Sequence, residues 1–171
     1  MNKQNFSDRI ILGIDPGTLI TGYALIRVCD RDVEPIDFGC IKPPKKEQLS
    51  NRYHILYQSI CHIIDVKKPT EMAIETPFIH KNPQSALKLG SAMCCALLAA
   101  RKHMMPIFGY SPREVKQGIS GLGGATKEDI AAILRATFHL QTCPIRADAT
   151  DALSIAIHHS QQYPHTKRKE L

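Results

Sequence analysis

Apolar and polar positions along this chain fall into short blocks that can be read one at a time. Residues 9–15, Arg-Ile-Ile-Leu-Gly-Ile-Asp, form an apolar run ending on a carboxylate, and Pro16-Gly17 then forces a turn. Two further β-rich segments follow, Thr21 to Val28 and Ile36 to Ile41, joined by polar residues that include Asp30 and Asp32. Spacings this short leave no room for crossover helices, so an antiparallel meander is expected. Leu49, Tyr53, Leu56, Ile60, Ile63 and Ile64 recur at helical spacing and predict an amphipathic helix that stops before Pro69. Met72 to Thr76 reads as a short buried strand that delivers Glu75 at its end.

Gln84 to Met104 predicts a long helix dense in small residues, among them Gly90, Ala92, Ala96 and Ala99. These permit close approach, either to the sheet or to a second subunit. Ile107 to Tyr110 reads as a fifth strand. Ser111-Pro112-Arg113-Glu114 carries a capping-box pattern with proline at the first helical position. After the glycine-rich stretch Gly121 to Gly124, Thr126 caps a helix that buries Ile130, Ile133, Leu134 and Phe138. A last helix runs from about Ala147 to Ser160. The sum is an α/β protein, a mixed five-stranded sheet flanked by helices. A single domain is expected over residues 9–161, with an N-terminal extension at 1–8 and a basic, disordered tail at 162–171.

Composition narrows the partners. No apolar run is long enough to span a membrane, and the polar start is unlike a signal peptide, so a cytoplasmic protein is expected. Six cysteines without a C-x-x-C pair read as reduced thiols, not a zinc site, and the pair His158-His159 reads as a solvated helix end. The net charge is +6; gathering four acids in one site leaves 22 positive against 12 negative charges elsewhere, which suits a polyanionic partner.

Those four acids are Asp15, Glu75, Asp148 and Asp151. The first two end strands; the other two, three residues apart, face the same way in the opening turns of the final helix, where the dipole favours negative charge. If the first and fourth strands are neighbours and the last helix crosses them, the four converge. Ionised carboxylates a few ångströms apart must take up protons or divalent cations. Oxygen-only ligation suits Mg2+, with Mn2+ able to substitute, over zinc, and two such ions per subunit can bracket a scissile phosphate. Each acid alone has an ordinary account as a turn, a strand end or a helix-start residue. That account must be invoked four times, where one site covers all.

Ile11-Leu12-Gly13-Ile14-Asp15-Pro16-Gly17-Thr18 with Thr21-Gly22-Tyr23 resembles the opening of the RuvC resolvases. Ala73-Ile74-Glu75 with Phe78, Lys81-Asn82, and Ser85 to Gly90 continue the likeness. Val115-Lys116-Gln117, the Gly121 to Lys127 loop and Ala147 to Ala156 complete it in order and spacing. Met93-Cys94 stand where members often carry Arg-Gly, and Thr76 where a polar amide is common.

The resemblance implies an RNase H-like fold and a homodimer, with Mg2+ held by Asp15, Glu75, Asp148 and Asp151. It implies a structure-selective endonuclease that resolves four-way (Holliday) junctions by paired symmetric nicks, handed its substrate by the RuvA and RuvB branch-migration proteins. Lys116 and Lys127 are then expected beside the scissile phosphates, and Lys81 and Lys88 join them as DNA-binding candidates. Phe78 is placed to stack on an opened base step, or else to fold over the core as an ordinary loop aromatic. Lys116 and Lys127 alone would pass for solvated helix lysines.

Three rivals stand beside this reading: a RuvX-type RNA-processing nuclease, a sugar-kinase or actin-like ATPase, and a non-catalytic junction-binding module. The long small-residue helix and the Asp148/Asp151 pair favour the resolvase over the first. The second fold needs two such domains. The third leaves four acids without a task.

Overall fold

The computed structural model describes residues 8–30, 32–76, 83–122, 124–138, 146–162 and 170–171. Strands β1 (Arg9–Asp15), β2 (Thr21–Cys29) and β3 (Asp32–Ile41) form the expected meander. Helix α1 (Leu49–Lys67), strand β4 (Glu71–Glu75), helix α2 (Pro83–Lys102) and strand β5 (Ile107–Tyr110) follow. Helices α3 (Pro112–Ser120), α4 (Lys127–Thr137) and α5 (Ala147–Gln162) close the chain. The sheet order is β3-β2-β1-β4-β5, with β4 parallel to both β1 and β5.

Strand alternation sorts the residues onto two faces. Leu12, Ile14, Leu25, Met72 and Ile74 pack under α1 and α2. Ile11, Ala24, Ile26 and Ala73 pack under α3, α4 and α5. Two glycines let α5 lie directly on this second face. A Cβ on Gly13 would stand 2.2 Å from the Ala152 carbonyl oxygen, and one on Gly22 would stand 1.9 Å from that of Asp148. Any larger residue at either position would lift the helix away.

The structure corrects several expectations. β3 begins at Asp32, four residues before Ile36, and takes in Pro35. As the edge strand it can hold a proline, and its register with β2 shifts between Leu25 and Ile26 to absorb the irregularity. The alanines of α2 are used within the subunit: Ala92, Ala96, Ala99 and Ala100 are fully buried in the core beneath the sheet. What α2 leaves exposed is a different line, Leu87, Cys94 and Leu98. His158 and His159 are not solvated but 5% and 3% exposed, because α5 carries them inward beneath β5. Of the stretch expected as a disordered tail, Leu171 lies against β5 and Glu170 against the end of α2. The Leu171 N–H donates to the Ile107 carbonyl at 2.9 Å, and Arg101 pairs with Glu170 at 2.7 Å.

Helix ends follow their local chemistry. Ser111 and Glu114 form the expected capping box on α3, and Thr126 with Asp129 forms a second one on α4. The five cysteines within the described residues are free thiols. Among the described residues no helix is long and apolar enough to cross a membrane.

Candidate active site

Parallel pairing of β1 with β4 runs from Ile11 opposite Glu71 to Ile14 opposite Ile74, so Asp15 and Glu75 come one residue later on adjacent strands. Alternation turns both toward α5, on neighbouring strands about 4.8 Å apart. Helix α5 starts above this edge and brings Asp151 into the same cleft, whose walls include Asp15, Glu75, Asp151, Lys116, Lys127 and Ser154. Asp148 is half-buried on the other flank; it does not line that cleft but acts on Asp15 through space. The expectation that Asp148 and Asp151 share one outlook is thus met only in part. Three residues along a helix is about 300° of rotation, enough to set them on either side of Asp15.

Charge crowding follows from this geometry. Asp15 is pushed up to about 7, first by burial, then by Glu75 and Asp151, with Lys127 opposing and Asp148 adding. Glu75 is raised as well, by burial and then by Asp151, against the pull of Lys127 and Lys116. Lys127 is held in its charged form above the usual lysine range, chiefly by its hydrogen bond to Asp151. The two lysines expected near the phosphates therefore do face the acids, each from the start or middle of its helix.

Two cations not singled out from sequence stand on the Asp148 side. Cys40, which pairs across β2 with Gly22, has its thiol raised by burial and then by Asp148, while Lys42 and Arg146 oppose. Nothing local marks Lys42 or Arg146; the sheet order and the start of α5 bring them together. Lys88 is exposed on α2, its carbonyl accepting a hydrogen bond from the Tyr53 hydroxyl at 3.2 Å. It does not line the acidic cleft. Phe78 and Lys81 lie outside the described residues. Thr76, in place of an amide, pins β4 to β5: its N–H and hydroxyl donate to the Tyr110 carbonyl at 2.8 and 3.1 Å.

The donor chemistry fits a hard divalent cation: oxygen ligands, partly removed from water, carrying more negative charge than the adjacent lysines neutralise. Among the described residues no three His, Cys, Asp or Glu side chains are already drawn together as a closed metal cage, and the Lys127 ammonium sits against Asp151.

Fold and site together define an α/β protein of RNase H-like architecture, with acids at the C-terminal ends of two parallel strands and on the final helix. The RuvC family model, described as crossover junction endodeoxyribonuclease RuvC, matches residues 11–159. The RuvC of Legionella pneumophila (strain Philadelphia 1) is 47% identical over 151 residues, 88% of this chain and 86% of that protein. The RuvC of Protochlamydia amoebophila is 41% identical over 89% of this chain and 90% of that protein. Among solved structures, Thermus thermophilus RuvC in complex with a Holliday junction substrate superposes with a TM-score of 0.88 at 27% identity. That match covers 95% of this chain and 99% of that one. The yeast mitochondrial Holliday junction resolvase shares the fold, with a TM-score of 0.66 at 16% identity over 92% of this chain and 81% of that one. The chain belongs to the RuvC family of crossover junction endodeoxyribonucleases.

Proposed function

We propose that this chain resolves four-way DNA junctions by hydrolysing phosphodiesters in two strands, with Mg2+ held by Asp15, Glu75, Asp148 and Asp151. The observation that carries the reading is the gathering of half-buried, mutually repelling carboxylates at one sheet edge, facing Lys116 and Lys127. The complex of the Thermus relative with a Holliday junction supports the choice of substrate.

Bound divalent ions, two per subunit and replaceable by Mn2+, supply positive charge for activating water and for the departing oxygen. The protein's own part is position and field. Asp15 and Glu75, fixed on rigid strands, hold their oxygens where a strand's phosphate enters the cleft. Asp151 closes the third side. Lys116 and Lys127 set positive charge against the negative charge that develops on the phosphate in the transition state. Phe78, Lys81 and Lys88 are further candidates for DNA contact.

One acidic centre cuts one strand, so paired symmetric nicks require a two-fold homodimer. The exposed line Leu87, Cys94 and Leu98 on α2 is the surface for it. Family membership supports RuvA and RuvB as the proteins that deliver the junction. The test is direct: incubate the chain with a synthetic four-way junction or a linear duplex, with and without Mg2+. Paired nicks confined to the junction and to Mg2+ are the expected result. Equal cutting of the duplex, or cutting in EDTA, would refute it.

A further inference from the structure

At the end of the sheet away from the acids, α5 and β4 meet in a buried polar cluster that the cleavage reaction does not use. His159 Nε2 lies 3.1 Å from Glu71 Oε2, and both residues are buried. His159 Nδ1 hydrogen-bonds with the Tyr110 hydroxyl, and the Phe108 ring stacks on the imidazole at 4.6 Å. The Arg9 Nε stands 3.5 Å from Oε1 of Glu71. A carboxylate only accepts, so Nε2 carries the hydrogen; in the neutral ring Nδ1 then accepts from the tyrosine hydroxyl. Burying such groups is costly unless they are paired. His159 takes one Glu71 oxygen in a directed hydrogen bond, while the other, Oε1, has the Arg9 charge nearby but no hydrogen bond among the described residues.

The dimensions of the two elements tie this cluster to the acids. From Glu71 to Glu75 is four strand residues, about 13 Å. From Asp151 to His159 is eight helical residues, about 12 Å. The two elements run in opposite directions: Asp148 lies over Gly22, Ala152 and Ala156 lie over Gly13, and His159 reaches Glu71. Glycine and alanine let α5 come close to the sheet, and Leu153, Ile155 and Ile157 bury apolar area in the same layer. These contacts are not directional, whereas the bond from His159 to Glu71 is. We infer that His159 is a positioning residue: its bond to Glu71 sets the axial seat of α5, and so holds Asp151 level with Glu75. The inference rests on the reading of the acids as the cleavage site.

His159→Leu removes the bond and keeps an apolar filling. The expected variant is folded and binds a synthetic four-way junction in EDTA within about twofold of the parent. Its Mn2+ affinity, titrated on the protein without DNA, and its single-turnover cleavage rate each fall about tenfold or more, the scale of a carboxylate site displaced by a fraction of an ångström to about 1 Å. His159→Gln, whose amide can still donate to Glu71, should restore both to within about threefold. Should His159→Leu not fold, Glu71→Gln carries the same thresholds, since it keeps shape and weakens the same bond. Parental Mn2+ affinity and cleavage in the folded variant would overturn the inference, as would a loss that His159→Gln does not rescue. A parent chain that neither binds Mn2+ nor cuts would overturn the reading of the acids, and the clamp with it.

Discussion

Replacing Asp15 with asparagine should stabilise the metal-free protein while abolishing cleavage. The Asp15 carboxyl is raised from 3.8 to about 7, first by burial and then by the charges of Glu75 and Asp151. A raised acid favours the folded state when protonated, so the penalty is absent below pH 3.8 and complete only above about pH 7. At about 1.36 kcal/mol per pH unit, the rise corresponds to a ceiling of about 4 kcal/mol, which water at the cleft mouth reduces. The asparagine side chain is neutral at every pH and nearly the same shape. Urea unfolding in EDTA between about pH 5 and 8.5, followed by circular dichroism, measures the difference. The two proteins should converge toward acid pH, and the variant should gain steadily with pH, to about 2–4 kcal/mol at about pH 8. Adding Mg2+ should stabilise the parent more than the variant. Parallel pH profiles, with no advantage for the variant on the alkaline side, would refute the crowded-carboxylate reasoning.

Lys127→Gln should lower cleavage about 10²-fold or more and flatten the plot of log binding constant against log salt by about one unit; gel-shift titrations over a salt series check this. Gly13→Val should fail to seat α5, since even a Cβ there meets the Ala152 carbonyl at 2.2 Å; loss of several kcal/mol in thermal or urea unfolding is expected, and near-native stability would contradict the packing. Leu98→Glu, at a position 58% exposed on α2, should fold normally yet sediment as a monomer and nick one strand at a time. Phe78→Ala should bind junctions nearly normally but cut about tenfold more slowly, recovering on a junction with an unpaired step at the cut site.

Asp15 and Glu75 were legible because each follows an apolar run and a strand end fixes direction. The final helix and its two acids were legible from periodicity. What the pattern could not supply is long-range. Ala92, Ala96 and Ala99 make the same stripe whether they meet a sheet or a second subunit, and only the position of α2 decides. His158 and His159 look like a polar helix end; what buries them is Phe108, Tyr110 and Glu71, all far away in sequence. Lys42 and Arg146 each look like ordinary surface charges until β3 and the start of α5 are seen side by side.

The acids are also spread along the chain in a telling order. Asp15 lies on the first strand, Glu75 on the fourth, and Asp148 and Asp151 on the last helix. During synthesis the first two emerge long before the others, and α5 must leave the ribosome and settle on β1 and β2 before the cluster exists. A nascent or prematurely ended chain therefore carries an incomplete set of acids. If the four acids are the cleavage site proposed above, a junction endonuclease built this way is armed only when α5 is in place.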